Sequence, residues 1–123
     1  MSAEVRIRPA VAADTEALLA LWARIFPEYF DPAHPQRDPR ASIERKLAIG
    51  DGRFWVAEAG ERIVGTVMSG YDGHRGWIYS LGVDPDARRS GIAAALCRHA
   101  EDELRAAGCP KVNLQVFAGN EPA

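Results

Sequence analysis

Residues 81–94 read LGVDPDARRSGIAA, and this stretch decides the fold. An apolar strand runs into a short loop that carries Arg88 and Arg89, and a helix begins next to Gly91. The first backbone N–H groups of a helix have no partner inside the helix, and the helix dipole adds positive charge there. Gly91 lets another group approach the backbone closely. The pattern therefore predicts a cradle for phosphate groups.

This predicted cradle matches neither of two common nucleotide-binding motifs. The G-K-[ST] ending of a P-loop is missing, G-x-G-x-x-G is absent, and the preceding strands are predicted to be antiparallel. An ordinary strand-to-helix connection with arginines facing solvent explains the residues equally well. From the residues alone, both interpretations stay open.

The apolar spacing on either side predicts a small α/β domain. Three apolar runs before the cradle form an antiparallel meander, with turns at Gly60-Glu61 and Asp72-Gly73. A strand and two helices precede the meander, and a long helix and one more strand follow the cradle. The predicted elements are strand 5–8, helix 14–26 with Asp14 as N-cap, helix 39–50, strands 54–57, 63–68 and 77–83, helix 90–107 and strand 111–117.

The composition indicates one globular domain, residues 1–123. The chain is 47% hydrophobic and 26% charged, and its net charge of −2 disfavours nucleic acid as a partner. It has no signal-peptide core and no apolar run of membrane-spanning length, so we expect a soluble cytoplasmic protein without a membrane partner. Cys97 and Cys109 are typical of reduced thiols, and no metal site is expected.

A family resemblance carries the interpretation further. Arg88-x-x-Gly91-x-Ala93 resembles the [Q/R]-x-x-G-x-[G/A] motif of the GNAT (GCN5-related) N-acetyltransferases, with the usual V-x-P before it. The element order is similar from residue 4 onward. E-R-K at 44–46, V-G-T-V-M-S-G-Y-D-G-H-R-G at 64–76 and G-C-P-K at 108–111 look like a small bacterial YpeA-type subgroup, related to the ribosomal-protein alanine acetyltransferases. The implied architecture is the GNAT fold, a mixed, mostly antiparallel sheet flanked by helices.

The resemblance implies an enzyme that uses acetyl-CoA as co-substrate. The acceptor would be a primary amine, either a small molecule or a protein N-terminus, attacking the thioester directly in a ternary complex. A backbone N–H of Leu81 or Val83 would stabilise the oxyanion. The implied cofactor-binding residues are Leu81, Gly82, Val83, Arg88, Arg89, Ser90, Gly91, Ile92, Ala93, Ala94 and Asn120. The alternative is an acyl-CoA-binding or regulatory domain with weak or no catalysis.

Two departures from the family pattern leave the proton-transfer residues unassigned. Trp77 stands where many relatives carry a glutamate as general base. Relatives also continue beyond the last residues of this chain into a fourth helix, whose tyrosine is the usual general acid, and two more strands. From this we expect a truncated sheet, which a homodimer could complete through strand 111–117.

Two polar segments remain as candidates for acceptor contact. Glu28, Tyr29 and Phe30 lie in the loop that forms one wall of the acceptor site in the family, or they cover the edge of the core. Residues 70–76, GYDGHRG, look catalytic but have the residues of an exposed hairpin tip. We favour a structural role for this tip, and acceptor contact or subunit pairing stays open.

Overall fold

The computed structural model describes residues 4–34, 38–88 and 90–114. Eight helices and strands follow one another in the predicted order β-α-α-β-β-β-α-β. They are β1 (Val5–Pro9), α1 (Thr15–Ile25), α2 (Pro39–Ile49), β2 (Phe54–Ala59), β3 (Arg62–Tyr71), β4 (Gly76–Val83), α3 (Ile92–Ala106) and β5 (Val112–Leu114). Short 3-10 turns occur at Ala12–Asp14, Pro27–Phe30 and Pro85–Ala87.

The five strands form one mixed sheet in the order β1-β2-β3-β4-β5. The first three pairings are antiparallel, and β4 pairs with β5 in parallel. The parallel pairing runs from Gly76↔Val112 to Ile78↔Leu114, which is only the first part of β4. The predicted mixed, mostly antiparallel sheet is therefore confirmed.

Helices cover both faces of this sheet and divide the core into two layers. On one face, Leu96 and Leu104 of α3 pack against β2, β3 and β4. On the other, Trp22 of α1 and Ile43 of α2 pack against residues such as Met68. The stripe of α3 that faces the sheet is the predicted one, because its four residues at helical spacing are all buried.

The helix ends agree with the sequence except at the first helix. Asp38 caps α2 by accepting a hydrogen bond from the N–H of Ala41, and Gly50 ends it in the left-handed region. Asp14 occupies the N-cap position of α1, but its carboxylate makes no capping bond there. It accepts instead from the N–H of Val11 and from the Arg8 guanidinium. The ion pair with Arg8 competes successfully for this carboxylate.

None of the helices in the described ranges has the length and apolar character of a membrane span.

Candidate functional site

The strand that leads into the predicted cradle contains a β-bulge. Thr66 pairs with Gly82 while Met68 pairs with Tyr79, so two residues of β4 lie opposite Val67 alone. One of these is Ser80, whose φ of 53° lies in the left-handed region. A bulge bends a strand and redirects the groups that follow it. The sequence gives no sign of this bulge, because such a position usually carries glycine or asparagine.

The outer edge of the second half of β4 is paired with none of the described residues. Among the described residues, pairing with β5 stops at Ile78, so Leu81 and Val83 lie beyond it. The N–H of Asp84 donates to the carbonyl of Val64 on β3. Because N–H groups alternate in direction along a strand, those of Leu81 and Val83 point away from β3, toward the other edge.

Gly82 has a packing role in addition to its place on this edge. A Cβ atom at this position would lie 2.6 Å from Cδ1 of Ile25 and 3.0 Å from the Phe26 ring. The absence of a side chain thus allows α1 to pack directly on β4, beside the cradle. The sequence does not indicate this contact.

A buried carboxylate fixes the loop that follows the strand. Asp84 is 2% exposed. It accepts hydrogen bonds from Arg24 of α1 at 3.0 Å, from Arg62 of β3 at 3.4 Å and from the N–H of Asp86 at 2.9 Å. These contacts tie the start of the loop to both a helix and a strand. Asp84 was not among the predicted site residues, although an acidic residue before Pro85 is a common cap signal.

The remaining loop residues fold back on the strand end. Arg88 donates from Nε to the carbonyl of Val83 at 3.3 Å, which places its guanidinium beside the outer edge of β4. The hydroxyl of Ser90 donates to the carbonyl of Ala87 and closes the turn. Arg89 and Asn120, two of the predicted cofactor-binding residues, lie outside the described residues.

Gly91 opens the helix that follows. Its φ is 80°, and a Cβ atom placed on it would meet no heavy atom of the described residues within 4 Å, apart from its neighbours in the chain. The carbonyl of Gly91 accepts from the N–H of Ala95 at 3.0 Å, which is the first bond of the helix. The N–H groups of Ile92, Ala93 and Ala94 therefore have no partner within α3. The first turn also contains no acidic residue. The space at Gly91, the N–H groups without a partner in α3 and the helix dipole together fit a phosphate group.

The predicted acceptor residues lie in the 3-10 turn after α1. The Tyr29 ring packs against those of Trp22, at 5.8 Å between centroids, and Phe26, at 6.0 Å. The ring of Tyr29 is partly buried and packs against the core. Glu28 is half-buried and Phe30 is 41% exposed.

Comparison with known proteins identifies the family. The sequence profile of the Acetyltransferase (GNAT) family matches residues 16–123. The chain belongs to the GNAT acetyltransferase family. An acetyltransferase of Pectobacterium atrosepticum is 49% identical over 108 residues, which are 88% of this chain and 73% of that protein. This GNAT protein is therefore an acetyltransferase.

Solved structures show the same fold at low sequence identity. A predicted acetyltransferase from Clostridium acetobutylicum with acetyl-CoA matches with a TM-score of 0.74 at 18% identity, over 97% of this chain and 85% of that one. An aminoglycoside N-acetyltransferase in complex with the bisubstrate analogue CoA-S-monomethyl-acetylneamine matches with a TM-score of 0.72 at 18% identity, over 95% and 82%. The GNAT fold implied by the family resemblance is confirmed.

This GNAT domain also has a groove of about 600 Å³ that the sequence did not predict. It lies between the end of α2 and the hairpin that joins β3 to β4. We call it the hairpin groove. Its lining includes Lys46, Ile49, Asp51, Asp72, Trp77 and Tyr79. The groove therefore brings the E-R-K segment and the 70–76 segment together.

Lys46 is the least expected residue of the groove. It is 7% exposed although lysine is rarely buried. Its ammonium donates to Asp51 at 3.0 Å and to the carbonyl of Ser69, and it lies 5.6 Å from the centroid of the Tyr79 ring. Burial of Asp51 acts to raise the pKa of its carboxyl, but the N–H of Arg53 and the Lys46 ammonium outweigh it and lower that pKa.

Among the described residues, no group of three or more histidine, cysteine, aspartate or glutamate side chains is arranged to hold a metal ion. Burial and the nearby Glu101 raise the pKa of Cys97, which keeps this thiol protonated.

Proposed function

We propose that the protein transfers the acetyl group of acetyl-CoA to a primary amine by direct attack in a ternary complex. The observation that carries the proposal is the junction of β4 and α3. There, a strand edge that no described residue pairs with leads directly to a glycine-opened helix N-terminus.

The helix N-terminus supplies the binding energy for the pyrophosphate. The N–H groups of residues 90–94 would donate to phosphate oxygens, with Arg89 and Arg88 adding charge. Gly91 leaves the space that these oxygens need, since a Cβ atom would occupy it. Asp84 holds the loop in place through Arg24 and Arg62.

The strand edge would position the thioester. Leu81 and Val83 direct their N–H groups to the side on which the pantetheine amides of acetyl-CoA would pair, as a further strand pairs. One of these N–H groups would donate to the thioester carbonyl oxygen. As the amine attacks, negative charge collects on that oxygen, and a donor already in place stabilises it. The nitrogen loses a proton to water, the C–S bond breaks, and the CoA thiolate leaves.

The second candidate function is binding of acyl-CoA with weak or no catalysis. The observation in its favour is Trp77, which stands at the sequence position of the usual glutamate, so that position supplies no carboxylate for proton transfer. Both candidates use the same cradle and differ only in the chemical step.

Two measurements test these functions in sequence. Saturating acetyl-CoA should raise the melting temperature, because a ligand at 100 times its Kd stabilises the folded state by about 2.7 kcal/mol. Release of free CoA thiol in the presence of a panel of amines should then follow. No thermal shift would contradict both functions, and a shift without thiol release would favour acyl-CoA binding alone.

Several narrower predictions remain untested and accompany this proposal. They are the YpeA-type subgroup, a single folding unit over residues 1–123, the acceptor contacts of Glu28, Tyr29 and Phe30, a cytoplasmic location and a homodimer. Sedimentation at several protein concentrations would test the homodimer, which predicts a mass that rises with concentration.

A further inference from the structure

We propose that the hairpin groove selects acceptors that carry a second positive charge, roughly 10–13 Å from the amine that receives the acetyl group. The occupant is the distal ammonium or guanidinium of an extended acceptor. This inference rests on the proposed function and adds to it the class of acceptor.

Among the described residues that line the groove, the only charge that no ion pair neutralises is negative. Lys46 and Asp51 neutralise each other, because they form an ion pair at 3.0 Å. Asp72 remains, and its Oδ1 accepts from the N–H groups of His74 and Arg75, both at 2.8 Å. These two bonds fix the carboxylate at the edge of the groove. Neither His74 nor Arg75 is among the residues that line it.

The apolar walls of the groove suit the rest of such an acceptor. Trp77 is 38% exposed and Ile49 is 68% exposed, and both line the groove. An exposed indole ring in the same groove as a carboxylate attracts an organic cation through its π face, while the carboxylate attracts it through charge. The side chain of Ile49 offers a surface for the methylene groups that lead to the cation.

The position of the groove along β4 sets the length of the acceptor. Trp77 lies four residues before Leu81 in the same strand. Four residues of strand span roughly 13 Å, and the bulge at Ser80 shortens this distance somewhat. If the thioester carbonyl lies at the N–H of Leu81, a cation on Trp77 belongs to an acceptor of that extended length.

A series of α,ω-diaminoalkanes from butane to dodecane tests the length directly. We expect kcat/KM to reach its maximum near the octane member, and to exceed that of octylamine about tenfold, which corresponds to about 1.4 kcal/mol. A short peptide with an unblocked N-terminus and a lysine three residues later forms the second arm. Preference for that peptide over the same peptide with alanine in place of lysine would assign the cation to a protein acceptor. Preference for the diamine over octylamine, without such a peptide preference, would assign the cation to a small molecule.

Two variants locate the second charge. Asp72→Asn keeps an acceptor oxygen for the turn but removes the charge, and should reduce the diamine preference about threefold. Trp77→Leu should reduce it by a similar factor, and Trp77→Phe should restore part of it. Glu61→Gln, on the other hairpin of the meander, is the matched control and should leave the preference unchanged. The inference would be overturned if Asp72→Asn and Glu61→Gln showed the same preference for the diamine over octylamine. It would also be overturned if octylamine and diaminooctane reacted at equal rates.

Calorimetry of 1,8-diaminooctane binding to the whole chain separates this inference from the proposed function. Binding that weakens in Asp72→Asn supports the groove even where no acetyl transfer is measured, and then the proposed function has failed alone. Acetyl transfer without any diamine preference means that the groove inference has failed alone.

Discussion

Gly91 is the residue at which phosphate binding can be tested most directly. Replacement by valine fills the space in which we place the pyrophosphate, a space that no described residue other than the chain neighbours of Gly91 occupies within 4 Å of a Cβ atom. We expect Gly91→Val to abolish binding of acetyl-CoA, measured by calorimetry. The positive φ of 80° adds a cost of about 1–3 kcal/mol to folding.

A matched glycine separates this steric effect from the backbone cost. Gly60, in the β2–β3 hairpin, has a φ of 62° and equally open space around a Cβ atom. Gly60→Val should therefore lower the melting temperature to a similar extent and leave acetyl-CoA binding intact. Unchanged affinity in Gly91→Val would show that the phosphates bind elsewhere.

Asp84 gives a second prediction at the scale of one residue. Asp84→Asn removes a charge that is buried between Arg24 and Arg62. We expect a loss of about 2–3 kcal/mol, below the range for a fully buried pair because both arginines are partly exposed. Urea unfolding measures it. Asp86→Asn, whose side chain is 73% exposed and also contacts Arg24, should cost less than about 0.5 kcal/mol.

At the scale of an element, the bulge in β4 makes Ser80 a sensitive position. A β-branched residue is strained in the left-handed region, so Ser80→Val should cost about 1–3 kcal/mol. Ser80→Gly should be neutral or stabilising. If the bulge also directs the N–H of Leu81, Ser80→Val lowers kcat more than it weakens acetyl-CoA binding. Equal stability of the valine and glycine variants would contradict the strained backbone.

The elements themselves were largely predictable from the sequence, whereas their functional details were not. Helices α2 and α3 follow from local signals, a cap at Asp38 and an apolar stripe beginning at Ile92. The bulge at Ser80 and the burial of Lys46 depend on contacts between distant segments. Lys46 is buried only because Asp51 and the carbonyl of Ser69 meet its ammonium. Periodicity within one helix contains no information about such partners.

At the scale of the whole molecule, β4 connects the two proposed binding regions. Its last residues enter the cradle, and its first residues line the hairpin groove. The motif at residues 81–94 was recognisable because its residues are contiguous in sequence. The groove was not, because α2 and the hairpin contribute to it from separate parts of the chain. The polar segment at 70–76 is therefore a hairpin turn stabilised by Asp72, which accepts from the N–H of His74. The same segment borders the proposed acceptor groove.

The fold as a whole should lose stability in acid through a cluster that joins β1 to β2. Arg8 binds Asp14 through two hydrogen bonds, at 2.9 and 3.0 Å, and Glu58 at 3.2 Å. The bond from Arg8 lowers the pKa of Asp14 in the folded state, and it lowers that of Glu58 as well. A carboxyl with a lowered folded pKa stabilises the fold above its unfolded pKa, about 4, and loses this effect as the pH falls through the folded value.

Asp14→Asn tests this acid dependence. Its free energy of unfolding should be lower than that of the parent protein at pH 7, and the two should converge only as the pH falls through the lowered folded pKa of Asp14, where the parent carboxyl becomes protonated. Urea unfolding between pH 7 and pH 2.5 measures both curves. Asp102→Asn, on the exposed side of α3, controls for the loss of one charge. Parallel curves for Asp14→Asn and the parent would mean that the Arg8 cluster does not couple folding to protons, and that other carboxylates cause the acid unfolding.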